Sequence, residues 1–240
     1  MTGGTSARSG SAVHRLKAPW AAGLAGVVFA ILFAATLILV NGNMPHGGGA
    51  GAQWSAGRHT AITTASVLMP FAGISFLWFL AVVRDGFGLL EDRFYATVFL
   101  GSGLLFLAMM FVSTAVAAGL VAADNGVADL SGHAAVIEFA GGVFASVSKT
   151  FALRMAAVFM ISLATIWLKT ALMPRWLALL TYAAALILLT AGDVSVWATL
   201  AMPAWVLIAS VLILLRARHL DLSRAVPAAS GTSHRSEGHP

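Results

Sequence analysis

The chain has 240 residues, of which 59% are hydrophobic and only 10% are charged, and its formal net charge is +5. A soluble domain has about a quarter of its residues charged, so this chain lacks the polar surface that a water-soluble globule needs. The absence of cysteine excludes disulfides, thiolate metal ligands, iron–sulfur clusters and cysteine nucleophiles. Because the basic residues flank apolar runs, the positive charge suits an anionic membrane surface rather than a nucleic acid.

Six largely apolar runs each approach the length of about 20 residues that crosses a bilayer core of about 30 Å. Period-two alternation is absent from these runs, so strands are not expected. The sequence predicts an all-α, polytopic transmembrane helix bundle formed by residues 18–217 as one domain. In chain order, the six spans are predicted at about 20–40, 61–83, 95–120, 149–168, 176–192 and 196–215. A basic tail at 1–17 and a polar tail at 218–240 are predicted to be disordered.

Single residues predict local features of these spans. Proline lacks an N–H donor, so Pro70 predicts a tolerated kink in the second span and Pro203 predicts a bend in the sixth. Gly101 and Gly103 permit the third span to pack closely against a neighbour, since small residues set the contact distance between membrane helices, and close packing is predicted at Gly101. Residues 121–147 are predicted to be the longest connection, with a short interfacial helix left open as an alternative.

The placement of Lys and Arg predicts the orientation, because short cytoplasmic loops carry the excess of both. If the N-terminus is cytoplasmic, three of the 14 basic residues lie on the outer side, namely Arg58, Lys149 and Arg154, and the other eleven lie on the inner side. The sequence therefore predicts that both termini are cytoplasmic and that the protein is a multi-pass protein of the plasma (cytoplasmic) membrane.

Arg154 stands inside the apolar run of the fourth span, and an ionisable residue in a span is a functional-site hypothesis by default. The short turn after this span predicts that the fourth and fifth spans are antiparallel neighbours. At about 1.5 Å of rise per residue, Asp193 then lies level with Lys149 and within reach of Arg154. We predict a partly buried charge cluster of Asp193 with Arg154, Lys149 or both near the outer interface. The alternative, left equally open, is that both basic side chains extend separately to lipid headgroups.

Other chemistry is not indicated. The seven histidines all lie outside the predicted spans, which disfavours a membrane haem, and an H-E-x-x-H motif is absent. Asp and Glu are missing from the centres of the spans, which disfavours an intramembrane aspartyl pair or a proton relay. We therefore expect no catalytic, metal-binding or cofactor-binding residues, and we do not expect an enzyme.

The loop between the second and third spans is charged and is predicted to be cytoplasmic; its charged residues are Arg84, Asp85, Glu91, Asp92 and Arg93. Residues 88–93 fit the pattern G-x-x-x-D-R, which resembles the start of a motif in the same loop of major facilitator transporters. The chain departs from that motif at residues 94–96, where a glycine and basic residues are missing. We interpret the loop as a charged inner turn.

The segments EDRFYATVFLGSGLLF and ALRMAAVFMISLATIWLKTALMPRWLALL resemble those of small bacterial six-span membrane proteins to which no activity is assigned. This resemblance covers the chain from Glu91 to about Trp205 and implies an inner-membrane location in a bacterium. It implies no site residues and no cofactor.

Two functions are therefore weighed. The first is a structural or regulatory membrane component, whose partners are the lipid bilayer and either a second copy of the chain or another membrane protein. The second is a small transporter or channel subunit. Because the centres of the spans are mostly Ala, Leu, Val, Phe and Met, they favour the first, since a transporter needs polar groups near the midplane.

Overall fold

The computed structural model describes residues 8–44, 56–85, 93–124, 130–170, 174–191 and 196–225, which are almost entirely helical and contain no strand. The helices are α1 (Arg8–Asn43), α2 (Ala56–Asp85), α3 (Arg93–Asp124), α4 (Leu130–Ala145), α5 (Leu153–Thr170), α6 (Arg175–Ala191) and α7 (Ala201–Ala225). A π-helical segment, Ser146–Ala152, joins α4 to α5, and a 3₁₀ segment, Val196–Leu200, precedes α7. Helices α1 and α7 extend into the segments predicted as tails, and residues 1–7 and 226–240 lie outside the described residues.

Five helical stretches are long and apolar enough to cross a membrane: Trp20–Asn43, Gly57–Asp85, Phe94–Ala123, Ala135–Thr170 and Ala198–Arg216. They correspond to the first, second, third, fourth and sixth predicted spans. The fifth predicted span is the shorter apolar helix Arg175–Thr190. The prediction of a membrane-type helical fold is confirmed at this level, and the crossing of α6 stays a prediction.

The prediction of a long connection at residues 121–147 is wrong. Helix α3 continues to Asp124, and α4, the π segment and α5 follow one another without a break from Leu130 to Thr170. The physical reason is that the residues after 130 are mostly good or neutral helix formers, and their apolar side chains pack on the end of α3. Ile137 and Phe144 are buried there in a small cluster with Ala117, Leu120 and other residues of α1 to α3.

Neighbouring helices run in opposite directions, which gives the bundle two distinct ends. The Nζ atom of Lys169, at the end of α5, lies 4.3 Å from the centre of the Tyr95 ring, near the start of α3. Near the end of α1, Asn41 Nδ2 donates to Thr199 Oγ1 in the 3₁₀ segment, at 3.2 Å. We call the end with Trp20, Tyr95 and Lys169 the first end and the end with Asn41 and Thr199 the second end.

The interior between these ends is filled by a cluster of aromatic rings from α1, α2, α3, α5 and α7. Adjacent rings have centroid separations of 4.6 to 6.3 Å, in the range that aromatic pairs prefer. The members of this aromatic cluster are Phe29, Phe33, Phe76, Phe79, Phe99, Phe106, Phe159, Trp167 and Trp205, all of them buried. Phe159 of α5 stacks on Phe99 at 4.8 Å and also contacts Phe76 and Trp205, so one side chain joins four helices.

Of the two glycines that permit close packing of the third span, only Gly103 faces neighbouring helices, so the prediction of close packing at Gly101 is wrong. A Cβ atom added at Gly101 would meet nothing within 4 Å, and the residue is exposed. A Cβ atom added at Gly103 would lie 3.2 Å from both Leu80 and Phe159. Residues two positions apart point in directions that differ by about 200° around a helix with 3.6 residues per turn. Only one of these two glycines can therefore face the core.

Pro203 lies at a different place in its helix from the one predicted. It is the third residue of α7, immediately after the 3₁₀ segment. In a first turn the N–H groups have no partner within the helix, so a proline there removes no α-helical hydrogen bond. The residue therefore marks the change from 3₁₀ to α geometry, whereas Pro70 does lie inside α2 as predicted.

A matched pair of glycine variants tests this packing. Gly103→Leu should lower the free energy of unfolding in detergent by about 1–3 kcal/mol, because the new side chain forces Leu80 and Phe159 apart. Gly101→Leu should change it little, because its side chain enters open space. Thermal unfolding of both variants measures the difference, and equal losses would show that the assignment of the buried face is wrong.

Candidate functional site

The most unusual backbone in the described part of the chain is the π-helical segment Ser146–Ala152. A π-helix has i→i+5 hydrogen bonds, is rare, and is frequently found at functional sites. Three of its seven residues, Ser146, Ser148 and Thr150, carry hydroxyls that can compete for backbone carbonyls. Ser148 does so, since its Oγ donates to the carbonyl oxygen of Phe144 at 2.6 Å.

Two cationic side chains lie in or just after the π segment. Lys149 lies within the π segment and Arg154 is the second residue of α5, and both are half-buried. Arg154 Nη1 donates to the carbonyl oxygen of Thr150 at 2.6 Å. Its guanidinium therefore folds back along the rod towards the second end, the direction in which helical side chains lean.

The height of these groups follows from the helix length. Twenty residues separate Thr150 from Thr170 at the first end, which is roughly 30 Å at 1.5 Å per residue. Along α1, Trp20 and Asn41 are 21 residues apart, or roughly 31 Å. Since the 3₁₀ segment packs on both α1 and the π segment, Thr150, Asn41 and the 3₁₀ segment lie at a common height.

Several polar and charged groups lie at this common height. It holds the Asn41–Thr199 hydrogen bond between buried side chains, the hydroxyls of the π segment, Lys149 and the guanidinium of Arg154. Sequence reasoning missed Asn41 and Thr199. Asn41 lies one residue beyond the first predicted span, at 20–40, and the side chain of Thr199 in the sixth predicted span carries no predicted role.

The predicted charge cluster of Asp193 with Arg154 or Lys149 stays a prediction, because Asp193 lies outside the described residues. Lys149 and Arg154 lie towards the second end. The predicted charged loop is only partly described. Arg84 and Asp85 are exposed at the end of α2, and residues 86–92 and the side chain of Arg93 lie outside the described part.

A second feature is an open groove of about 300 Å³ on the outer face of α2 and α3, beside the proline of α2. Its lining is almost wholly apolar and comprises Ser66, Met69, Pro70, Phe111, Thr114 and Ala115. The two hydroxyls are engaged within their own helices, since Ser66 Oγ donates to Ile62 and Thr114 Oγ1 donates to Met110. The groove therefore offers shape but no polar recognition.

Hydrogen bonds between side chains also join neighbouring helices in the half of the bundle nearer the first end. Trp205 Nε1 donates to Thr181 Oγ1 at 3.0 Å, and Thr165 Oγ1 and Tyr182 Oη lie 2.6 Å apart. These contacts join α6 to α7 and α5 and satisfy polar atoms that hydrocarbon could not. Among the described residues, no group of three or more His, Asp or Glu side chains is placed to hold a metal ion.

Comparisons of the chain with protein-family models, with curated proteins and with solved structures find no match. The resemblance to small bacterial membrane proteins therefore stays a prediction, and the functional argument depends on geometry.

The predicted coupling of Arg154 to Asp193 is tested by a double-mutant cycle. If the two side chains pair, Asp193→Ala should lower the melting temperature in detergent and Arg154→Ala should add little further loss, because one interaction is removed in both cases. Lys149→Ala in place of Arg154→Ala tells which cation is the partner. Losses that simply add would exclude the pair.

Proposed function

We propose that this chain is an integral protein of the cytoplasmic membrane with a structural or regulatory role, and that its partners are lipid and other membrane proteins rather than a transported solute. The observation that carries this proposal is the aromatic cluster, which occupies the middle of the bundle. The five long apolar helices support the membrane location.

The position of the cluster argues against transport. Phe29 lies nine residues from Trp20, or roughly 14 Å from the first end, and Phe159 lies eleven residues from Thr170, or roughly 17 Å. These heights are close to the midplane of a hydrocarbon layer about 30 Å thick. Transporters place their substrate and ion sites at that depth, in polar cavities between broken helices. In the described part of this bundle, Phe29, Phe76 and Phe159 fill that depth and have no exposed surface.

The shorter helix α6 fits the same picture as a sixth crossing. Its 17 residues measure roughly 26 Å, close to the hydrocarbon thickness. Ala178, Ala185 and Leu188 are buried against the bundle, while the opposite side is exposed and apolar. We therefore propose six crossings, with α6 outermost against lipid.

The distribution of charge supports a cytoplasmic first end. Among the described side chains, Arg84, Lys169, Arg175 and Arg216 lie at the first end, and Arg58, Lys149 and Arg154 lie at or towards the second end. Trp20 and Trp176 are exposed at the first end, where interfacial aromatics anchor membrane helices. Six crossings then leave both termini in the cytoplasm.

A flux screen tests the proposal against a transporter or channel subunit. Purified protein is reconstituted into liposomes, and the release of K⁺, Na⁺, H⁺, chloride and a small neutral solute is followed. We expect rates equal to those of protein-free liposomes, because the rings close the interior. An ionophore added to the same vesicles provides the positive control. Flux of any one solute above background would overturn the structural role and favour the transporter.

A further inference from the structure

We propose that Lys149 and Arg154 together bind the phosphate of an anionic phospholipid headgroup at the second end of the bundle. The inference builds on the membrane location given above and assigns a chemical class to the lipid partner. The observations that carry it are the π segment, the direction of the Arg154 side chain and the height that both cations share.

The π segment brings the two cations towards one side of the rod. In an uninterrupted α-helix with 3.6 residues per turn, residues five apart are about 140° apart around the axis. In a π-helix the hydrogen bond runs from i to i+5, so each residue turns through less than the 100° or so of an α-helix. Lys149 lies in the middle of the π segment and Arg154 comes two residues after its end, so three of the five steps between them have this smaller rotation. The angle between the two cations around the axis is therefore smaller than in an uninterrupted α-helix.

The Arg154 side chain brings its charge to the height of Lys149. Its Cα atom is roughly 6 Å closer to the first end than that of Thr150, at 1.5 Å per residue. The guanidinium spans this distance, since Nη1 contacts the Thr150 carbonyl oxygen at 2.6 Å. Lys149 is the residue before Thr150, so the guanidinium lies near the height of the Lys149 backbone.

That level coincides with the boundary between hydrocarbon and headgroups. Thr150 lies roughly 30 Å from Thr170, which is the thickness of the hydrocarbon core. The phosphates of the leaflet at the second end therefore lie beside the two cations. Both side chains are only half-buried, so a headgroup can reach them from the lipid side.

The surroundings suit a phospholipid better than a free anion. Phe151, next to Thr150 in the sequence, is 54% exposed and provides an apolar surface for acyl chains at the same height. A planar guanidinium binds phosphate through paired hydrogen bonds, and a lysine adds a point charge. A guanidinium has five N–H donors. One arginine side chain can therefore bind a backbone carbonyl, an acidic neighbour and a phosphate at the same time.

Binding is measured by native mass spectrometry of the purified protein titrated with phosphatidylglycerol, with phosphatidylcholine as the zwitterionic comparison. We expect one saturable phosphatidylglycerol that binds more tightly than phosphatidylcholine. Lys149→Ala and Arg154→Ala should each weaken it by about tenfold, as expected for a charge-assisted hydrogen bond. The charge-preserving pair Lys149→Arg with Arg154→Lys should retain most of the binding and guards against a folding defect.

The matched control is Arg58→Ala. Arg58 is an exposed cation that also lies at the second end, in α2, and its removal should leave phosphatidylglycerol binding unchanged. Equal binding of the two lipids, or phosphatidylglycerol binding that survives loss of both Lys149 and Arg154, would overturn the proposal. Stabilisation by inorganic phosphate but not by phosphatidylglycerol would assign the pair to a free anion instead. The titration involves no flux, so its failure is distinct from failure of the structural role.

Discussion

The arrangement of the helices depends on the packing of Phe159. In hydrocarbon, apolar side chains gain little by leaving lipid, so membrane helices associate through van der Waals packing and a few hydrogen bonds. Phe159 concentrates that packing at one place, because its ring stacks on Phe99 and also meets Phe76 and Trp205. Gly103 supplies the space that the ring occupies. The contacts fix the heights of α2, α3, α5 and α7 relative to one another.

The polar groups of the chain lie at different heights along the bundle. Between the first end and the middle of the bundle, several hydroxyls bond within their own helix or to one neighbour, as in the bond of Ser162 to the Val158 carbonyl and the contact of Thr165 with Tyr182. Roughly 14 Å from Phe159, at 1.5 Å per residue, the π segment and the start of α5 hold a lysine, an arginine and several hydroxyls. The Asn41–Thr199 pair lies at the same height. The middle of the bundle is thus filled mainly by aromatic rings, and the described charged side chains lie towards its ends.

The class of fold could be predicted from the sequence because length and hydropathy determine it directly. The five long apolar helices were predicted in this way. Which face of a helix is buried could not be predicted. The third span is apolar on all sides, so it lacks the periodicity that distinguishes a buried face from a lipid-facing one, and Gly101 was chosen where Gly103 was correct.

The sequence also could not predict that α4 continues into α5 or that the segment between them is π-helical. Residues 121–147 contain glycines and acidic residues that indicate a loop, and the helical state of residues 130–147 depends on packing against the end of α3. A π segment has no residue signature of its own, so the convergence of Lys149 and Arg154 could be found only from the fold. The ends of helices are predicted only to within a few residues, and the first span was predicted to end at residue 40. Asn41 was therefore placed in a loop, whereas it lies in α1 and makes a buried hydrogen bond.

The central claim is that a hydrocarbon layer lies between Trp20 and the π segment, with the aromatic cluster at its middle. The most direct measurement is the depth of single spin labels in bilayers, which the absence of native cysteine makes straightforward. Labels replace three exposed side chains, Ile31, Phe151 and Phe139. The account predicts that Ile31 is the deepest, that Phe151 lies near the boundary, and that Phe139 lies beyond it. A label at Phe151 as deep as the one at Ile31, or a label at Phe139 deeper than both, would contradict the account.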